Sequence, residues 1–418
     1  MEIKRYKYLN ELIERENNGL IKIVTGLRRV GKSYLLFTIF DGYLKEKGIK
    51  PDHILKFILD DKRFKPYRNP DVFLKYVESK ITGTDTHYIL IDEVQMMKDF
   101  EEILNTLLHF DNVDVYVTGS NSRFLSKDVI TEFRGRGDEI HVYPLSFAEF
   151  MSVYDGDMYK GFEEYSLFGG MPLVLSRKTP AQKMQYLKSL FTATYLKDII
   201  ARNAINNEEV LRPLLDIISS SVGFLTNPQR IANTFQSVQH IAVSPNTIMR
   251  YLDFLEDAYL IQKANRYDIR GRQYIRTPLK YYYTDTGLRN ARLDFRQVEK
   301  TYLLENIIYL ELCRRGFRVD VGVVETREAD ESGKSARKYY EIDFVANLGD
   351  KRLYIQSAYS IEDEDKYRQE SKSLILSRDS FTKLLIVKDP VVPHRTEDGI
   401  LILSIFDFLL KEDMLQSL

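Results

Sequence analysis

Cysteine is nearly missing. Cys313 is the single thiol in 418 residues, which excludes an internal disulfide framework and fits a reducing compartment. Its place in the helical stretch "LENIIYLELCRRG" reads as a small buried hydrophobe. An excess of one charge is missing too: sixty basic residues stand against sixty-one acidic ones, a formal net charge of -1. No global field therefore gathers nucleic acid, and any such site must be a local patch. No uncharged apolar run is long enough to span a bilayer. The charged start "MEIKRYKYLNELIERENN" lacks the apolar h-region of a secretory signal. Six scattered histidines show no ligand-like spacing, which argues against a zinc site. The expectation is a cytoplasmic protein with no membrane partner. At 44% apolar and 29% charged the chain is globular, and its length suggests about three domains.

What is present begins with "IVTGLRRVGKSYLL". A short apolar strand, then Gly-x-x-x-x-Gly-Lys-Ser, then helical apolar spacing is the layout of a phosphate-binding loop. Gly26 and Gly31 let the backbone wrap an anion, since glycine tolerates positive φ and has no Cβ to clash. Lys32 would place its ammonium on the β- and γ-phosphates, and the Ser33 hydroxyl would ligate Mg²⁺. The candidate ATP cradle is thus Gly26, Arg28, Arg29, Val30, Gly31, Lys32, Ser33 and Tyr34. Arg28 and Arg29 either add positive potential there, face an adjacent subunit, or form an ordinary charged turn.

Sixty residues on, "HYILIDEVQMM" reads as a buried strand ending in two carboxylates. Asp92 is the candidate for the Mg²⁺ shell, and Glu93 for polarising the attacking water. No Asn-Lys-x-Asp guanine signature follows, so ATP is expected rather than GTP. In sequence, "HILKFILDD" lies between these strands and is expected to separate the loop from the acidic pair. Strands alternating with helices through "VDVYVTGSNS" and "DEIHVYPLSF" imply a parallel sheet covered on both faces.

The set "GLRRVGKS", "YILIDEVQ", "VTGSN", "FRGRGDEIHVYPLSFAEF" and "GGMP" resembles the AAA+ ATPases, within them a bacterial and archaeal group with an uncharacterised C-terminal domain. The resemblance covers nearly the whole chain. It implies a polar sensor at Ser120 or Asn121, and an arginine finger, supplied to a neighbouring subunit of a homo-oligomer, at Arg134 or Arg136. An equally plain reading makes "FRGRG" a basic turn before a strand. The segment from Glu163 to Arg202, helical with a Gly-Gly break, looks like the small lid of those ATPases.

From Val210 the pattern changes. "NPQRIANTFQ" and "SPNTIMRYLDFLEDAYLI" read as two helices with a short polar link, Ser244 as N-cap and Pro245 at the first helical position. Two strands around "DIRGRQ" follow, completing a winged-helix pattern. Arg266, Arg270, Arg272, Arg276 and Lys280 interleave with tyrosines against one acid, Asp268. Such a local excess suits DNA-backbone contact. The second helix offers only Asn246, Thr247 and Arg250 before turning acidic and apolar, so the element also suits docking to a protein.

After Phe295, a helix, three strands, a helix and two more strands resemble the restriction-endonuclease-like fold. That likeness implies metal-binding carboxylates at Glu305 and Asp343, but Gln356 and Ala358 stand where Glu-x-Lys belongs. An amide binds a hard cation weakly and alanine can stabilise nothing. Glu341, on the same strand face as Asp343, could supply a second carboxylate, but the lysine has no evident substitute. The expected architecture is α/β: a P-loop AAA+ core at 1–155, a helical lid at 156–206, a winged helix at 207–294, and an inactive restriction-endonuclease-like domain at 295–418. The expected function is ATP hydrolysis coupled to binding of DNA, or of a protein partner through the C-terminal domain. The alternatives are an ATP-loaded switch with negligible turnover and, less favoured, an ATP-controlled nuclease.

Overall fold

The computed structural model describes residues 3–119, 135–329 and 335–415. They form two compact units. The first comprises Met1–Pro144 with Asp257–Tyr259, the second Leu145–Glu256 with Leu260–Leu418.

The first unit is built on a five-stranded sheet. Its strands are β1 (Ile21–Thr25), β2 (Ile54–Ile58), β3 (His87–Asp92), β4 (Val113–Thr118) and β5 (Gly137–His141), in the order β2-β3-β4-β1-β5. Every pairing is parallel. Such sheets are buried on both faces, hence the near-continuous apolar runs of β1 and β3. Ile21, Ile23, Ile89, Ile91, Val115 and Val117 pack on one face with Phe73, Val77, Ile103 and Leu104 from two helices, Pro70–Lys80 and Phe100–Leu107. Asn69 starts the first of these helices by accepting from the Val72 N–H at 3.1 Å, with Pro70 at the first helical position. Phe40, from the helical run after the loop, meets Tyr116 at 4.6 Å between ring centroids. Lys22, in the middle of β1, is fully buried and ion-paired to Asp114 of β4.

One expectation is corrected here. The strand between β1 and β3 is β4; β2, which intervenes in sequence, lies at the sheet edge. A parallel sheet needs a crossover between successive strands, so chain order and spatial order diverge.

The second unit has nine strands. They are β6 (Leu225–Thr226), β7 (Ile261–Asp268), β8 (Gln273–Tyr283), β9 (Arg318–Ala329), β10 (Ser335–Leu348), β11 (Lys351–Ala358), β12 (Thr382–Val387), β13 (His394–Arg395) and β14 (Leu401–Ser404). Their order is β13-β14-β12-β11-β10-β9-β7-β8-β6. The hairpin β7–β8, expected as the wing of a winged helix, also joins the strands that follow: β7 pairs in parallel with β9 through Arg266–Val321, Tyr267–Gly322 and Asp268–Val323. The boundary expected at 294/295 thus falls inside one sheet. The helices Met158–Phe168 and Pro180–Leu190 of the expected lid also group with this unit. Their Gly-Gly break has a packing cause: a Cβ on Gly169 would meet the Asp285 carboxylate at 2.3 Å, and one on Gly170 the Leu145 carbonyl at 2.3 Å. Asp285 is buried, accepts from the Gly170 N–H at 2.7 Å and the Leu288 N–H at 2.9 Å, and is pushed up to about 6 by burial.

Candidate functional site

In the first unit, β1 delivers the loop at its C-terminal end. Gly26 has φ 131°, and a Cβ there would lie 2.2 Å from the Val142 carbonyl oxygen. Gly31 has φ 104° and Arg29 φ 64°, so three of six loop residues use left-handed backbone that side chains disfavour. Leu27 and Val30 are buried and hold the loop down, leaving Arg28 and Arg29 exposed. Lys32 is buried, and its ammonium donates to the carbonyls of Gly26 at 2.9 Å and Leu27 at 3.1 Å. Tyr34 is exposed.

Ser33 and the acidic pair do meet. Ser33 Oγ donates to Asp92 Oδ1 at 2.9 Å, and Thr118 Oγ1 donates to the same oxygen at 2.5 Å. Burial raises the Asp92 carboxyl above its ordinary range, against the opposing pull of those two hydroxyls. Glu93 sits at φ 52°, its N–H donating to Thr118 Oγ1 at 3.1 Å and its carboxylate accepting from Gln95. Thr118, at the end of β4, therefore ties the two acids together. The sequence reading missed it, although its place just before the expected sensor was a signal.

Arg5 was missed as well. It is buried, donating to the Val30 carbonyl at 3.2 Å and the Tyr143 carbonyl at 2.7 Å, and it braces the loop from outside the motif. Beneath the loop, Thr25 Oγ1 donates to Glu139 at 2.6 Å and lies 3.0 Å from His141 Nδ1. Burial first, then the Lys32 charge, lowers His141 to about 4. The ring is neutral near pH 7, so its 4.0 Å approach to Glu139 is no ion pair. Among the other expected residues, Arg136 is exposed and donates to Asn105 at 3.3 Å. Ser120, Asn121 and Arg134 lie outside the described residues.

The second unit rearranges the other expected sites. Lys280 was expected on a DNA phosphate; this is corrected, because it is buried and its ammonium lies 3.0 Å from Glu305 Oε1 and 2.7 Å from Glu341 Oε1. Burial opposes its charge, but Glu305, Glu341 and Asp343 outweigh that and raise its pKa. Tyr282 donates to Glu305 at 2.6 Å. Asp343 accepts from Gln356 Nε2 at 3.0 Å and from the Ser357 N–H and hydroxyl at 2.9 and 2.6 Å. Burial, with Glu305 nearby, pushes Asp343 up to about 7. Glu305, Asp343 and Gln356 thus come together around a lysine from another part of the chain, while Ala358 packs in the apolar core. Among the described residues no group of three or more His, Cys, Asp or Glu is placed to hold a metal ion. Arg270, Arg272 and Arg276 are exposed and Arg266 is half-buried. Asp268 accepts from the backbone N–H groups of Arg270 and Gly271 at 3.1 and 2.9 Å, so it caps the turn.

A Gly-rich loop at the end of β1, an acid at the end of β3 and the order β2-β3-β4-β1-β5 define a P-loop domain of the AAA class. In agreement, residues 18–151 match the AAA domain family, and residues 159–299 match a domain of unknown function. An uncharacterized protein of Haemophilus influenzae is 34% identical over 416 residues, covering 98% of this chain and 99% of that one. The chain belongs to the family of that protein, with an AAA domain followed by a domain of unknown function. A second uncharacterized relative, MJ1544 of Methanocaldococcus jannaschii, is 26% identical over 88% of this chain and 81% of its own. Among solved structures, the Aeropyrum pernix ORC1 protein in complex with DNA aligns over 70% of this chain and 92% of its own, at 13% identity and a TM-score of 0.28. No helix among the described residues is long and apolar enough to cross a membrane.

Proposed function

We propose that the first unit binds ATP with Mg²⁺ and hydrolyses it. The observation that carries this is the convergence of Ser33 Oγ on Asp92 Oδ1 at 2.9 Å, directly beside Lys32 and Glu93. The donor set fits Mg²⁺: a hydroxyl and a buried carboxylate are hard oxygen ligands. When bound, the cation would offset charge on the β- and γ-phosphates. The backbone of Gly26–Gly31 would wrap the phosphates, and Lys32 would exchange its two carbonyl partners for phosphate oxygens. Glu93, held in place through Thr118, would take a proton from the attacking water. Arg136, or Arg134, would serve a neighbouring subunit as the finger, and Ser120 or Asn121 as the sensor.

The second unit would be the part that engages a partner. The order helix Glu208–Ser220, β6, helices Pro228–Thr234 and Pro245–Asp257, then β7–β8, with β6 paired to β8, supports the winged-helix reading. The helix Lys300–Arg314 followed by β9, β10 and β11 supports the restriction-endonuclease-like reading. Its carboxylates are satisfied from within, which favours a binding role over cleavage.

The test is a pair of variants in the full chain. Lys32→Ala should lose ATP binding, and Glu93→Gln should bind ATP and release no phosphate. ATP bound undiminished by folded Lys32→Ala would sink the assignment. A wild type that binds ATP without turnover, with DNA present or absent, would leave only the switch.

A further inference from the structure

Three turns of the second unit meet around a cleft of about 630 Å³: the β7–β8 turn, the β10–β11 turn and the segment before β12. We propose that this cleft binds single-stranded nucleic acid through its phosphates. The proposal rests on reading the hairpin as the nucleic-acid element, and it moves the contact from an isolated wing to a composite surface.

Charge is the first reason. Arg270, Arg272, Lys351, Arg352 and Arg378 line the cleft against Asp350 and Asp379. Five cations less two carboxylates leave an excess of three positive charges, on a chain whose formal net charge is -1. Asp379 is already engaged, accepting from Tyr354 at 2.7 Å and from Lys383 at 3.4 Å. The concentration is local, as a phosphate site on a near-neutral protein requires.

Backbone conformation is the second and independent reason. Arg272 has φ 51° and Arg378 φ 54°, in the left-handed region that glycine or asparagine occupies at less cost. Both side chains are exposed, so neither is held there by packing. Arginine at two strained turn positions on one cleft sets a charge there at a cost in local stability.

Preorganisation and an aromatic wall are the third. Arg352 donates from Nε to Asn347 at 2.7 Å, and its guanidinium lies 5.2 Å from the ring centroids of both Tyr267 and Phe381. Arg270 is anchored by one bond to the Leu376 carbonyl at 3.0 Å, and the turn that carries it is capped by Asp268. Guanidinium forks match phosphate oxygens pairwise. The Phe381 ring, 41% exposed at the cleft, offers a face on which an unpaired base can stack. That ring favours a single strand over duplex and a nucleic acid over an acidic peptide.

The experiment measures anisotropy of a labelled oligothymidine with the full chain, without nucleotide, across a series of salt concentrations. The double variant Arg272→Gly/Arg378→Gly should weaken binding on the order of tenfold at low salt. The log-affinity versus log-salt slope should shrink by about 1.4, two contacts at roughly 0.7 each. Its melting temperature should be no lower than that of the wild type, because glycine relieves both positive φ angles. Arg250→Ala, on the helix Pro245–Asp257, should bind as the parent does. Unchanged affinity and slope in the double variant would overturn the proposal, as would loss of binding in Arg250→Ala alone. Tighter binding of an unrelated duplex, or polyglutamate displacing the probe as well as unlabelled oligothymidine does, would overturn the single-strand assignment. With no nucleotide present, neither outcome bears on the ATP site.

Discussion

Lys280→Met tests the reassignment of that lysine from the surface to the interior. Lys280 is 3% exposed and its ammonium lies 3.0 and 2.7 Å from two carboxylates, with Asp343 close enough to raise its pKa further. Methionine replaces the stem but leaves Glu305, 8% exposed, without its cation. Removing one member of a buried pair costs about 3–5 kcal/mol, mostly the penalty of the charge left behind. For a unit of this size each kcal/mol is worth roughly 2–4 °C, so the second unit's melting transition should fall by roughly 6–20 °C. Adding Glu305→Gln should restore much of that loss. Glu341 is half-exposed and can be solvated, and Asp343, raised to about 7, can take a proton. The assay is thermal and urea unfolding of the full chain, reading the transition of the second unit apart from that of the first. A loss below about 1 kcal/mol, the scale of an exposed pair, would refute the reasoning. An unchanged melting temperature together with a reduced salt slope for DNA would restore Lys280 to the phosphate backbone.

Two further outcomes follow from the geometry. Gly26→Ala must move either the loop or Val142, since its Cβ would lie 2.2 Å from a carbonyl oxygen at φ 131°; it should cost about 2–4 kcal/mol and weaken ATP binding. Gly19→Ala, at φ 74° with nothing within 4 Å, should cost only about 1–2 kcal/mol, and equal losses in the two would contradict the close approach. Asp343 makes stability depend on pH: its folded pKa, raised to about 7, exceeds the unfolded value of about 3.9. Its contribution is therefore fully present below about pH 4 and is lost as pH rises through 7, by at most about 4 kcal/mol. Asp343→Asn should flatten urea unfolding of the second unit between those limits, and a slope identical to the wild type's would exclude Asp343 as its source.

Legibility in the sequence followed the range of the interactions. The loop and the acidic pair were readable because each is a short contiguous run whose spacing is set by phosphate and cation geometry. Most helices and strands were readable for the same reason, since periodicity is local. What reached across the chain was not. The loop's brace, Arg5, lies 25 residues before Val30 and 138 before Tyr143, in a charged stretch just ahead of the helix Tyr6–Glu14. The Gly-Gly break was visible as a break, but its causes, the Asp285 carboxylate against Gly169 and the Leu145 carbonyl against Gly170, lie far along the chain from it. Sheet order was hidden because a parallel crossover sets β4 between two strands that precede it in the chain.

Lys280 shows the same limit acting on chemistry. As one of five basic residues among tyrosines it reads as part of a phosphate-binding stripe, and a stripe is a statement about composition. Strand geometry divides that stripe: Arg270 and Arg272 sit in the turn, whereas Lys280 pairs with Ala264 within the hairpin and with Leu225 of β6, where it is buried. A lysine so placed persists as a charge only if carboxylates meet it, and a linear motif puts the cation for Glu305 and Asp343 on the strand of Gln356 and Ala358, not on the hairpin. The cation that meets Glu305 and Glu341 is thus Lys280, from the basic stripe of the hairpin. The cause is the pairing of β7 with β9, which makes the hairpin and the C-terminal strands a single sheet. That pairing also brings the hairpin turn beside Lys351, Arg352 and Arg378, so the strand contact that joins the hairpin to the C-terminal strands is also what gives Arg270 and Arg272 their cationic neighbours.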